Sequence, residues 1–203
     1  MTKTILPVKP VSQLFPIPMV MGCEGVAAAM LLQYNQHRIK ATEIMKHWPK
    51  HTSNPEKGYV GHHFLVHFGV HQTIFPDAYV PYLQQYDDKI VDGTGTDLKD
   101  LEKLIDRNQP VLVYHTVFGQ NPISRTFKIE QIKRRFVSNI HVVLLIGYDD
   151  AHYYYVDPLW MHVSRRIAIP AFIPSRYQIM KISKAKMEKS YNAPGKKCIY
   201  IDK

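Results

Sequence analysis

The order of patterns along this 203-residue chain predicts an α+β fold. Helical spacing dominates the first half, ending with "TDLKDLEKLIDRNQP" at 96–110. Three runs rich in β-branched and aromatic residues follow: "VLVYHTVF" (111–118), "HVVLLIGY" (141–148) and "HYYYVDP" (152–158). The last two are separated only by Asp149, Asp150 and Ala151, a hairpin-length gap. Helices first and antiparallel strands later is the α+β order, not the alternation that builds a parallel sheet.

The elements follow in chain order. Pro7, Pro10, Pro16 and Pro18 make residues 1–18 an extended N-terminal arm with at most one short edge strand. From Cys23 to about Gln36, Val26, Ala27, Met30, Leu31 and Tyr34 recur at three- and four-residue steps, so a helix is expected there, with Gly22 as the flexible joint before it. A second helix runs from Ala41 to about Trp48 and stops at Pro49, and residues 50–62 read as a polar loop. Tyr79, Tyr82, Leu83 and Tyr86 also keep helical spacing, but Pro81 lacks an N–H, so a short helix is expected to start near Pro81. The helix within 96–110 has Thr96 as its expected N-cap, Asp97 and Asp100 in its first turn, and Pro110 just past its end. Beyond the three strands, "SRRIAIP" (164–170) reads as a strand, a short helix is expected after Pro170, and "KKCIYI" (196–201) closes the chain as a strand. With no repeat or low-complexity tract, residues 1–203 read as one domain.

Composition narrows the function classes. The chain is 45% hydrophobic and 21% charged, the balance of a folded protein. A net charge of +9 raises nucleic acid, an anionic envelope polymer and acidic substrates as partners. The basic residues are dispersed, with concentrations only at Lys133–Arg135, Arg165–Arg166 and Lys181–Lys203, and no nucleic-acid motif accompanies them. No nucleic-acid partner is therefore expected, and an anionic envelope polymer stays open. Cys23 and Cys198 form one disulfide at most, and free thiols are expected. No stretch approaches the ~18 apolar residues of a membrane span, and residues 1–18 lack a signal-like apolar core. The sequence as it stands reads as cytoplasmic, with secretion or the cell envelope as the alternative for a trimmed chain.

One constellation carries chemistry. A cysteine opening a helix sits where unpaired N–H groups and the dipole favour a thiolate, and Cys23 has that place. Alone, it would ordinarily be read as an inert buried cysteine. A nucleophile also needs an imidazole and a group that orients it, near in space and distant in sequence. Among eleven histidines, His141 is preferred because it begins an apolar strand whose edge can project a ring into a cleft. Asp157 ends the next strand, within two residues of the position opposite His141 across the turn. His62, His63, His67 and His71 are a rival cluster. As a helix, Phe64, Val66 and Phe68 disfavour it; as a strand, steps of four lie about 13 Å apart, too far for one ion. Loop or solvated histidines and no metal are expected. The Tyr79–Tyr86 and Tyr153–Tyr155 stretches read as core edge before groove, whereas Trp160, just after Asp157, is the better groove candidate. Cys198 reads as an ordinary strand residue.

"GCEGVAAAMLLQY", "NIHVVLLIGYDD" and "YYYVDP" together resemble the bacterial peptidase C39-like family, a branch of the papain-like cysteine peptidases, in a pattern of "SQ…GCE…AM…Y" followed by "HVVLLxGYDD…VxDP". The resemblance runs from Val11 to about Tyr177 and includes "GYVG" at 58–61 and "NQPVLVY" at 108–114. It implies a papain-like fold in which a helical half, with the cysteine at a helix N-terminus, packs on a C-terminal antiparallel sheet. It further implies Cys23 as nucleophile, His141 as general base, Asp157 as the residue orienting the imidazole, and Gln13 as an oxyanion-hole amide beside the Cys23 backbone N–H. Gly22 and Glu24, flanking the nucleophile, and Trp160 are the candidate substrate contacts. Gly25-Val26-Ala27 departs from the small hydroxyl residues that the family often has after "GCE". The implied function is cofactor-free hydrolysis of a peptide or protein substrate through an acyl-enzyme. A papain-like acyltransferase or deamidase and a catalytically silent binding module are the alternatives.

Overall fold

A computed structural model describes residues 3–164 and 167–203. Arg165 and Arg166, which carry one basic pair and part of the "SRRIAIP" strand expectation, lie outside the described residues. The elements are β1 (Thr4–Ile5), α1 (Cys23–Tyr34), α2 (Ala41–His47), β2 (Lys50–His51), β3 (Tyr59–Val60), α3 (Pro76–Leu83), β4 (Ile90–Asp92) and α4 (Leu98–Asp106). They continue with β5 (Val111–Thr116), β6 (Ser124–Ile129), β7 (Ile132–Val137), β8 (Ile140–Tyr148), β9 (His152–Val156), β10 (Trp160–Ser164) and β11 (Ile167–Pro170). A 3-10 turn at Arg176–Gln178, β12 (Ile179–Ser183), α5 (Lys184–Asn192) and β13 (Cys198–Ile201) complete the chain. The fold is α+β around an antiparallel sheet ordered β12-β9-β8-β5-β13-β4.

The centre of this arrangement is α1 against β8. Val26 through Leu32 are all buried, so the helix is apolar on every side and forms part of the core rather than an amphipathic cover. It packs on β8, β5 and α2. Gly25 faces α2 so closely that a Cβ there would collide with Met45 Cγ. The Gly25-Val26-Ala27 stretch is therefore set by helix packing in the core. All six residues of β5 are buried, as are Val142–Ile146 of β8, matching their unbroken apolar runs. The arm does contribute one short strand: β1 pairs with Tyr148 and Gly147, the end of β8 that β5 leaves unpaired. No helix among the described residues is long and apolar enough to cross a membrane.

Several boundaries differ from the sequence reading. α3 starts at Pro76, which needs no N–H partner at the first helical position, and it continues through Pro81. Pro81 deprives only the Asp77 carbonyl of a donor, and both residues are exposed, so water can serve it. Its tyrosines are structural: Tyr79 Oη donates to the Glu24 carbonyl at 3.1 Å and Tyr82 Oη to the Ile44 carbonyl at 2.8 Å. Asp97, not Thr96, is the N-cap of α4, and its carboxylate pairs with Lys196 Nζ at 2.6 Å. The 50–62 loop contains β2 and β3, a two-residue parallel pair. The β6–β7 hairpin was not legible, because its turn residues Glu130 and Gln131 have φ of 48° and 80° where glycine or asparagine is usual. Tertiary contacts hold that turn: Glu130 accepts from Lys57 Nζ at 2.7 Å and from Asn54 Nδ2 at 3.3 Å. On β7, Arg134 of the basic run makes a two-pronged pair with Glu56, both bonds at 2.7 Å.

Gly147 offers a direct check, since a Cβ there would strike the Thr4 carbonyl oxygen of β1. Gly147→Ala is expected to cost about 1–3 kcal/mol and to expose the Leu6 amide, which donates to the Ile146 carbonyl, to faster hydrogen exchange. Calorimetry and exchange mass spectrometry read both, and an unchanged Tm with unchanged protection would contradict the close crossing.

Candidate active site

Cys23 is the first residue of α1, capped by Gly22 without a side-chain hydrogen bond. The chain is pinned as it approaches this point: Tyr59 Oη donates to the Met21 carbonyl at 2.8 Å, and Met21 N donates to the His63 carbonyl at 3.0 Å. The thiol is half-buried, and Sγ donates to Glu24 Oε2 at 3.2 Å. Burial first, then the Glu24 charge, push the thiol well above its ordinary value. A backbone hydrogen bond with Val142 opposes them. Burial and the Glu24 charge therefore act against the preference for thiolate expected of a helix N-terminus. Glu24 is buried, and burial raises its own carboxyl in turn.

His141 and Asp157 meet because of the β8–β9 register. Leu144 pairs with Val156 and Leu145 with Tyr155, beyond a bulge at Ile146. Continuing that ladder sets Asp157 opposite Val143, which makes it the diagonal neighbour of His141 on one face. His141 Nε2 and Asp157 Oδ1 are 2.8 Å apart, both buried. The same oxygen accepts from Leu159 N and Trp160 N, each at 2.9 Å. Among the described residues no hydrogen bond joins the Cys23 thiol to His141; the thiol donates to Glu24 instead.

Gln13 is buried and joins this region through its backbone, its N donating to the Pro158 carbonyl at 2.8 Å. Its Nε2 donates to the Val20 carbonyl at 3.0 Å and has a second hydrogen to give. A cavity of about 240 Å³ opens beside the thiol, lined by Cys23, Glu24, Thr73, Val142 and the apolar side chains of Val66 and Phe68. Trp160 does not line it; its ring packs on Phe118 with centroids 5.3 Å apart. His62 and His63 stack in a loop, and His71 is buried with Nε2 2.8 Å from the Val137 carbonyl. No group of three or more His, Cys, Asp or Glu side chains able to hold a metal occurs among the described residues. Both cysteines are free; Cys198 donates to the Gly93 carbonyl at 3.1 Å, and burial pushes its thiol up to about 12.

Two residues here escaped the sequence reading. Gln178, fully buried, donates from Nε2 to the carbonyls of Asp157 (2.9 Å) and Val11 (3.0 Å), fastening the arm to the end of β9. His115 is the cross-strand partner of His141, packed edge-on against Tyr155, and burial holds its imidazole down to about 3, so it is neutral. Neither lies in a motif, and a lone Gln or His in an apolar context gives no periodic signal.

A model of the Peptidase_C39 like family matches residues 5–199. The crystal structure of a Bacillus anthracis protein provisionally assigned as a C39-like peptidase is similar to this chain with a TM-score of 0.82. The two are 24% identical, and the match covers 100% of this chain and 98% of that one. No curated relative matches the chain.

Replacing Gln178 with Leu would leave the buried Asp157 carbonyl short of a donor, at about 1–3 kcal/mol, and the part-buried Val11 carbonyl as well, at less. Urea denaturation is expected to show that loss, with faster hydrogen exchange at Gln13, and a variant as stable as the native chain would contradict the fastening role.

Proposed function

Because the chain belongs to the peptidase C39-like family, we propose that it is a cysteine peptidase in which Cys23 is the nucleophile, His141 the general base and Asp157 the residue that orients the imidazole. The observation that carries this reading is the buried 2.8 Å pair between His141 Nε2 and Asp157 Oδ1, set on β8 beside the helix that Cys23 begins. An ionised carboxylate only accepts, so Nε2 is the protonated nitrogen and Nδ1 keeps its lone pair for the thiol proton. Since the free thiol is held above its ordinary value, the attacking thiolate forms by transfer to Nδ1 and not by the helix N-terminus alone.

In this mechanism the sulfur attacks a peptide carbonyl, and the oxyanion receives the Cys23 N–H and the unused hydrogen of Gln13 Nε2. His141 then passes the proton to the departing amine. Water, deprotonated by the same nitrogen, releases the acid from the acyl-enzyme. A peptide crossing the thiol would meet the 240 Å³ cavity on the side of Thr73 and Val142. The step needs no metal or organic cofactor. The thiol's bond to Glu24, with none to His141, favours a second reading, a papain-like binding module without catalysis.

Labelling with a peptidyl electrophile separates the two readings. Mass spectrometry is expected to find the label on Cys23, none in Cys23→Ala, and a rate about 10²–10⁴ lower in His141→Ala. Equal labelling with and without His141 would remove the peptidase reading. Release of acyl groups to water, in preference to an added amine, would distinguish hydrolysis from acyl transfer.

A further inference from the structure

The thiol has a hydrogen-bond partner that the proposed mechanism leaves idle. Glu24 is 2% exposed, and each of its oxygens accepts one side-chain donor: Oε2 the Cys23 thiol at 3.2 Å, Oε1 the Thr73 hydroxyl at 2.5 Å. Its main-chain carbonyl is tied to Tyr79 of α3. The ionisable groups that face it are Tyr59 from β3, Tyr79 from α3, Tyr114 from β5 and His141 from β8, with Asp157 acting on the thiol from beyond β9. His67, His71 and Arg125 line the same cavity. No salt bridge pairs Glu24 among the described residues, so the Thr73 hydroxyl, the Cys23 thiol and its own main-chain N–H are what hold the buried group in place.

A carboxylate at this distance treats the two states of sulfur oppositely. It accepts a hydrogen bond from S–H, and it repels a thiolate through a poorly hydrated medium. Thr73 fixes the carboxylate so that it cannot swing away from the sulfur.

We propose that Glu24 is a positioning residue that holds Cys23 as a hydrogen-bonded thiol in the resting protein, and that activation requires the sulfur to leave Glu24 Oε2 for His141 Nδ1. This rests on the reading of Cys23 as the nucleophile. In the step, the S–H bond breaks and an N–H bond forms at Nδ1, while Glu24 keeps its charge and no further reactant takes part. Glu24 and Thr73 line the cavity beside the thiol, so whatever fills that cavity meets the latch directly. The raised thiol is the electrostatic counterpart of this geometry.

The test is the pH dependence of iodoacetamide alkylation at Cys23 in the full chain, followed by mass spectrometry, with the buried Cys198, which labels only if the chain opens, as the control for folding. Glu24→Gln keeps the shape and removes the charge. Its midpoint is expected to fall by about one pH unit or more, and alkylation at pH 7 to speed up several-fold once the lower nucleophilicity of a more acidic thiol is allowed for. An unchanged or higher midpoint overturns the proposal. Should that variant not fold, the native chain gives the answer: its S–H infrared band, assigned by its loss in Cys23→Ala, is expected below the frequency of a free thiol, and a free-thiol frequency overturns the latch. Iodoacetamide requires no acyl chemistry. A shifted midpoint without His141-dependent peptidyl labelling would therefore sink the peptidase reading alone, and such labelling without a shift would sink the latch alone.

Discussion

One oxygen, Asp157 Oδ1, accepts three N–H groups: the imidazole of His141 and the backbone amides of Leu159 and Trp160. That convergence fixes the carboxylate against the turn that follows β9, and it fixes the imidazole against the carboxylate. Buried as the group is, removing any of these donors would expose charge to an apolar setting, so the arrangement is stiff for an energetic reason. The surrounding chain is organised to keep it. Gln178 binds the Asp157 carbonyl, Gln13 N binds the Pro158 carbonyl, and Ser12 Oγ donates to the Ala171 carbonyl, so the N-terminal arm is fastened along the far end of the sheet. An extended, proline-broken segment thereby becomes part of the site.

The electrostatics divide the site in two. On the Asp157 side, donors outnumber what one oxygen needs and the imidazole is oriented; on the Glu24 side, the thiol itself is the donor. A helix N-terminus contributes partial charge worth a few tenths to one kcal/mol in exposed settings. Burial of the sulfur next to a carboxylate acts in the opposite direction. On the proposed reading, reactivity at Cys23 is a matter of which neighbour the sulfur faces as well as of the helix that carries it.

Much of this was legible because its signals are periodic or terminal. The run 23–34 announced a helix with cysteine at its head, and "HVVLLIGYDDAHYYYVDP" announced a hairpin; counting outward from its turn brought Asp157 within two residues of a position facing His141. The bulge at Ile146 sets the diagonal pairing of those two side chains; Gly147 beside it is compatible with a bulge, but equally with the close crossing of β1, so the register was not fixed by the sequence. What stayed hidden depends on distant contacts. Glu130-Gln131 turns a hairpin because Lys57 and Asn54 hold it, Pro81 sits inside a helix because its cost falls on a solvated carbonyl, and Glu24, which lines the cavity, is also held by Thr73, 49 residues away. Gln178 is a single buried amide whose role exists only after β9 and the arm have met.

The proposed site depends on Asp157 setting the tautomer and direction of His141. Long-range ¹⁵N–¹H correlation NMR of the histidine side chains, assigned with His141→Gln, measures it directly. The expected result is a His141 ring protonated at Nε2 with an exchange-protected proton, a bare Nδ1, and loss of that pattern in Asp157→Ala. A ring protonated at Nδ1, or one that averages between tautomers in the native chain, would contradict it.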